Sequence, residues 1–127
     1  MLQNAPVVCV VEDDAAVRNA LKFSLEMEGL AVRVHDSAAS LLSDPELPSC
    51  RCLIVDYRMP AMDGLELAGA VKARGIAAPV IMITGQATKA LRIRADKLGI
   101  VCVIEKPWPN GLLLKAIQAA IVDGPLR

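Results

Sequence analysis

The stretch LIVDYRMPAMDGLEL, Leu53 to Leu67, decides how the rest of the chain is read. An apolar run ends abruptly in Asp56, the chain turns through Met59-Pro60 and Asp63-Gly64, and an apolar pattern resumes at Leu65. A carboxylate placed where a buried strand reaches solvent costs little and is well aimed at a ligand, so its position invites a functional reading. The proline stops the strand, and Gly64 is expected to permit the reversal into the next helix.

Working outward, similar short apolar runs recur as PVVCVV (6–11), LAVRVH (30–35), CLIVD (52–56), PVIMIT (79–84) and VCVIE (101–105). All have the length of strands. Between them the apolar period becomes helical. Ala15 to Met27 places Val17, Leu21 and Leu25 on one face with Ala20 and Ser24, and Gly29 suits its end. Weaker helical patterns cover Ser37 to Leu42, Leu65 to Arg74 before Gly75, and Thr88 to Leu98 before Gly99; Leu112 to Val122 is a strongly apolar last helix. This alternation predicts an α/β fold, a doubly wound five-stranded parallel sheet with five helices, because parallel crossovers need helices and bury both sheet faces.

The 127 residues fit one domain, 1–127, around one core. The closing DGPLR could open a linker, so the domain is readable as the N-terminal part of a longer protein. Hydrophobic residues make up 54% and aromatics 2%, so the core must be built from Val, Ile, Leu, Ala and Met. Lys plus Arg balance Asp plus Glu at 14 each, which argues against nucleic-acid or membrane binding through a broad basic surface. The apolar runs fall far short of a membrane span, and MLQNAPVVCVVEDD lacks a cationic start and a cleavage site, so the expected location is cytoplasmic. Cys9, Cys50, Cys52 and Cys102 form no C-x-x-C pair, and three lie in apolar runs; they read as buried free thiols. His35, alone, reads as structural.

In an open parallel sheet, ligands bind outside the C-terminal ends of the strands. Those ends carry Glu12-Asp13-Asp14, Asp56, Thr84-Gly85 and Glu105-Lys106-Pro107, which puts carboxylates, a hydroxyl and an amine on one rim. With these four elements in order, the chain resembles a response-regulator receiver domain over almost its whole length. The I-T-G and I-E-K-P phrases are most similar to receivers of nitrogen-fixation-type transcriptional regulators.

The resemblance implies a flavodoxin-like receiver fold and a module of two-component signal transduction and transcription regulation, phosphorylated on Asp56 by a histidine kinase or phosphotransfer protein. A carboxylate is a competent nucleophile toward a phosphoryl group, and phosphoryl transfer depends mainly on positioning and charge neutralisation. Carboxylates at close range repel unless a cation joins them, and Mg²⁺ meets that need. Asp13, Asp56 and the backbone carbonyl of Arg58 are the implied ligands, with Glu12 acting through water; Asp14 suits a helix N-cap better. Lys106 would pair with Asp56 and later with a phosphoryl oxygen, ahead of a cis bond to Pro107. Thr84 would donate to the phosphoryl group, and Gly85 would leave room for the donor's leaving group. Tyr57 and Arg58 flank the site; Tyr57 is equally readable as packing against the third helix.

Relatives commonly carry Tyr or Phe three residues before the lysine, where this chain has Val103, so any signal must pass by backbone and helix shifts. On the fourth helix, Ala87, Leu91, Ala95 and Leu98 follow the core spacing and turn Ile93 outward among Arg92, Arg94 and Lys97. On the fifth, Leu113, Ile117, Ala120 and Ile121 satisfy the core and leave Leu112 and Ala116 or Ala119 to spare. This output face is where a phosphorylation-dependent homodimer is expected. Two other functions compete. A receiver-fold interaction domain that works without phosphate is favoured by Val103 and disfavoured by the retention of Asp13, Asp56, Thr84 and Lys106. An aspartyl-phosphate hydrolase would need an acid where Arg58 stands, and no nucleotide-binding glycine motif is present. The chain is therefore read as a signalling module that catalyses only its own phosphorylation and dephosphorylation, not as an enzyme.

Overall fold

Five strands, β1 (Val7–Val11), β2 (Ala31–His35), β3 (Cys52–Asp56), β4 (Val80–Thr84) and β5 (Cys102–Glu105), pair in parallel in the order β2-β1-β3-β4-β5. The computed structural model describes residues 6–122; the readings that rest on MLQNA and DGPLR lie outside them. Five helices alternate with the strands: α1 (Ala15–Met27), α2 (Ala38–Leu42), α3 (Gly64–Ala73), α4 (Lys89–Lys97) and α5 (Leu112–Val122). The predicted strands 6–11, 30–35, 79–84 and 101–105 are each trimmed by their first residue. At Pro6 and Pro79 the missing N–H accounts for that.

Because side chains alternate across a strand, the sheet sorts its residues into two apolar faces. Cys9, Val11, Leu53, Val55, Val80, Met82 and Val103 face one way and pack against Leu41 of α2, Leu65, Ala68 and Val71 of α3, and Leu91 and Ala95 of α4. Val8, Val10, Cys52, Ile54, Ile81, Ile83 and Ile104 face the other way, toward Leu21 and Leu25 of α1 and Leu113, Ile117 and Ala120 of α5. Each fully buried Leu, Ile or Val contributes roughly 1.5–3 kcal/mol, so a nearly non-aromatic core suffices.

β1 has β2 on one side and β3 on the other, so successive crossovers leave it in opposite directions. A crevice opens at such a reversal, at the C-terminal ends of β1 and β3. The acidic residues are placed there by topology.

The cysteine expectation is corrected. Cys9 and Cys50 form a disulfide, while Cys52 and Cys102 are free. Arg51 N–H donates to the Val7 carbonyl at 2.8 Å, so the chain entering β3 runs beside β1 and brings Cys50 against Cys9. That neighbourhood depends on strand order, which cysteine spacing does not carry. Cys102 is only half-buried, because β5 is an edge strand. The role expected of Gly64 is corrected too. The left-handed residue of the loop is Ala61, at φ 69°, and Gly64 is the first residue of α3. A Cβ on Gly64 would lie 2.8 Å from the Asp56 carbonyl oxygen, so this glycine permits close approach of helix to strand rather than the turn itself.

Candidate functional site

Glu12, Asp13, Asp56 and Thr84 reach the rim from strand ends that lead into helices capped by side chains. Asp14 accepts from the Val17 N–H and caps α1, so it faces away from metal duty, as its N-cap reading requires. Asp63 and Glu66 form a capping box at the start of α3, which fixes the loop that follows Asp56. Thr88 caps α4 in the same way.

Glu12 is 1% exposed, Asp56 is buried and Asp13 is exposed. One ligand oxygen from each of the three lies within 4.8 Å of the others. Lys106 Nζ stands between the two buried acids, 3.1 Å from Glu12 Oε1 and 3.4 Å from Asp56 Oδ1. Glu12 Oε2 accepts from the Asp14 N–H at 3.1 Å, and Arg18 donates to the Glu12 carbonyl at 2.9 Å. Glu12 thus holds the lysine as well as facing the cluster. The cis Lys106-Pro107 bond follows, as expected.

Two buried carboxylates, Glu12 and Asp56, share the one Lys106 ammonium group. Burial, then the neighbouring Glu12 charge, pushes the Asp56 carboxyl up to about 6, and Lys106 only partly opposes this. Burial also opposes the charge of Lys106, but hydrogen bonds and charges from Glu12 and Asp56 outweigh it and hold that pKa above the ordinary lysine value. A cluster of hard oxygen donors with surplus negative charge fits a hard divalent cation.

Thr84 is fully buried, and its Oγ1 accepts from the Gln86 N–H at 3.2 Å. A Cβ at Gly85 would meet nothing within 4 Å, so the rim is open beside the threonine. Val103 is buried within the α2–α4 face, and Pro107 is exposed. Tyr57 packs partly on the same apolar cluster, with the Arg58 guanidinium 5.9 Å from its ring centroid. Ile93 (48% exposed) and Leu112 (42%) stand on the surface, whereas Ala116 is half-buried against the α1–α5 face and adds little to an exposed patch.

The roles of Arg18, Arg33, Asp44 and the Asp63–Glu66 pair escaped the sequence reading. Arg18 contacts the Glu12 backbone, and Asp44 is buried with Arg33 and His35 around it. Only the capping box, Asp63-x-x-Glu66, had a readable local signal. His35 is structural as expected: Nδ1 lies 2.7 Å from Ser40 Oγ and Nε2 3.0 Å from Asp44 Oδ2.

An open parallel sheet with an acid cluster, a lysine and a threonine at its reversal point defines a receiver-type domain. Residues 8–118 match the family model of the response regulator receiver domain, and the chain belongs to that family. It is 43% identical over 115 residues to the transcriptional regulatory protein FixJ of Azorhizobium caulinodans, covering 90% of this chain and 54% of that protein. It is 37% identical to the response regulator protein TodT of Pseudomonas putida, covering 98% and 55%. The chain spans about half the length of the curated relatives it matches. Among solved structures it resembles the crystal structure of FixJ-N, with a TM-score of 0.84 at 36% identity, covering 96% of this chain and 97% of that one. The chemotaxis protein CheY4 of Vibrio cholerae, at 23% identity and a TM-score of 0.85, shares the fold. Among the described residues no helix is long and apolar enough to cross a membrane.

Proposed function

We propose that this receiver is switched by phosphorylation of Asp56 in a Mg²⁺-dependent reaction, with a histidine kinase or phosphotransfer protein as donor. The observation that carries the reading is the meeting of Glu12, Asp13 and Asp56 oxygens within 4.8 Å with Lys106 Nζ 3.4 Å from Asp56. The ionised Asp56 oxygen forms the new P–O bond, and the donor's P–N or P–O bond breaks with its electron pair leaving on the donor. Asp13, Asp56 and the Arg58 carbonyl would hold the Mg²⁺, with Glu12 bridging through water; when bound, the ion neutralises charge on the phosphoryl oxygens. Lys106 is placed beside Asp56 to follow a phosphoryl oxygen, and the Thr84 hydroxyl, at the end of the neighbouring strand, would donate to another. The open space beside Gly85 suits a leaving group. A longer regulator, acting on transcription through a segment beyond this domain, is consistent with the relatives' greater length. The domain itself is read as binding no nucleic acid.

Incubation with acetyl phosphate and Mg²⁺ should raise the intact mass by one phosphoryl group. Omitting Mg²⁺ should abolish the gain, as should Asp56→Asn, and Asp13→Asn should weaken it strongly. A phosphorylated Asp56→Asn protein would sink the assignment. The phosphate-independent reading keeps one supporting observation, the buried Val103 in place of an aromatic that could swing. Full mass gain with no change in any conformational probe would favour it.

A further inference from the structure

Of the nine residues of α4, only Leu91 and Ala95 are buried, with Ala87 before the helix and Leu98 after it packed partly on the same cluster. The polar link between this helix and the sheet is Arg92, whose Nη1 donates to the Val103 carbonyl of β5 at 2.9 Å. Among the described residues no carboxylate lies within ion-pair distance of Arg92, so that carbonyl is the guanidinium's hydrogen-bond partner. Hydrogen bonds from charged donors are stronger than neutral ones, and this one is partly sheltered from water.

Its location gives it a role. Val103 stands in register with Met82 on β4, two residues before Thr84. From Thr84 the chain reaches the α4 cap, Thr88, through only Gly85, Gln86 and Ala87. The lead into α4 is held by the bond from Gln86 N–H to Thr84 Oγ1. A Thr84 hydroxyl that turns toward a phosphoryl group on Asp56 gives up that bond and frees the lead. The Arg92–Val103 bond then remains as the polar tether of the helix.

We infer that Arg92 is a positioning residue for α4: its bond to the Val103 carbonyl holds the helix in the seat seen here, and breaking it accompanies the switch. The first half rests on this geometry alone; the second rests on the phosphorylation reading above. A bond that favours one of two helix positions sets their populations, so removing it shifts the helix before any phosphate arrives.

The test is hydrogen exchange on the full chain, wild type against Arg92→Ala and Arg92→Met. Both replacements are strong helix formers, and Met keeps an apolar stem without a donor, so neither propensity nor packing alone explains a loss. In the unmodified protein, amides of residues 89–97 should exchange about tenfold faster in both variants, with α1 and α3 unchanged, the size expected for losing one charge-assisted bond. Wild-type protection retained in Arg92→Met would overturn the inference, because the stem and not the donor would then hold the helix. With Mg²⁺ and beryllofluoride, wild-type α4 should move toward the variants' exchange while the variants change little further. An equal acceleration in all three proteins would overturn the second half. If wild type binds no beryllofluoride by fluorine resonance, the phosphorylation reading fails, and the unmodified comparison still judges the Arg92 bond.

Discussion

At the β2 edge of the sheet, Asp44 accepts from Arg33 Nε and Nη2 at 3.0 and 2.8 Å and from the Glu46 N–H at 2.8 Å, and it meets His35 at 3.0 Å. At the β5 edge, α4 is joined to the sheet by the Arg92 bond and two buried side chains. The chain leaving the short helix α2 and running through the turn Leu47–Ser49 is thus pinned by the buried Asp44 carboxylate before the turn and by the Cys9–Cys50 disulfide after it, with Leu47 buried between. The acid cluster lies between a fixed edge and an adjustable one. Such an arrangement teaches where, under the proposed switch, a local event on Asp56 would be turned into motion: the side with fewer restraints is the one expected to yield first.

Reducing the disulfide is the strongest way to break this contrast. Closing a loop across a sequence separation of 41 residues stabilises the fold by about 4 kcal/mol through the entropy of the unfolded chain. Thermal unfolding with a dithiol reductant should therefore show a Tm lower by roughly 10 °C or more. Alkylation of the denatured, unreduced chain should label Cys52 and Cys102 and spare the other pair. Labelling of all the cysteines, or an unmoved Tm, would remove the covalent part of the fixed edge.

Replacing Asp44 should have the next largest effect. Asp44→Ala leaves the half-exposed Arg33 able to reach water but strips the Glu46 amide and His35 of a partner, at a cost of about 2 kcal/mol. The hydrogen bond from the Glu46 backbone holds the Asp44 carboxyl below its ordinary range; burial works the other way, and Arg33 and His35 add to the lowering. A carboxyl depressed in the folded state stabilises the fold above its unfolded pKa, and that contribution is lost as pH falls through the folded value. Unfolding free energies from neutral pH down into the acid range should thus fall less steeply in Asp44→Ala than in wild type. Parallel curves would show that Asp44 is no anchor.

What was legible in the sequence follows the same division between local and non-local information. Short apolar runs and helical spacing placed all five strands and all five helices, because both are properties of single segments. The rim acids, Thr84 and Lys106 were legible because each ends a strand, and strand ends in a parallel sheet share one edge. The disulfide and the Arg33–His35–Asp44 anchor were not. They join residues brought together by the order β2-β1-β3 and by the path of the α2–β3 connection, and neither has a sequence period. Gly64 was assigned to the turn because a glycine in a loop most often supplies positive φ; here it supplies room against the Asp56 carbonyl, a contact visible only once helix and strand are packed. By spacing Arg92 stands with Arg94 and Lys97 around the outward Ile93, and its bond to the Val103 carbonyl depends on how far α4 sits from β5.

The smallest effect sharpens the adjustable edge. Ile93 projects from α4 between Arg92 and Arg94, half exposed and without a role in either apolar face. Ile93→Glu should change the stability of the unmodified protein by no more than about 0.5 kcal/mol, as surface substitutions do. Its effect should appear only in association. Under the proposed switch, a phosphate mimic at Asp56 moves α4 and presents Ile93 to a second copy of the chain, with exposed Leu112 on α5 the other expected contact and Ala116 adding little. A carboxylate at that position would have to be desolvated in the contact, which costs far more than the lost methyl groups contribute. Sedimentation with beryllofluoride and Mg²⁺ should then give a heavier species for wild type and the monomer for Ile93→Glu. If both proteins gain mass equally, α4 still marks the adjustable edge through its exchange behaviour, but the contact that reads it lies on another surface. If neither gains mass while α4 exchange responds, the moving helix is read by a different partner, and the contrast between the two edges is one of dynamics without self-association.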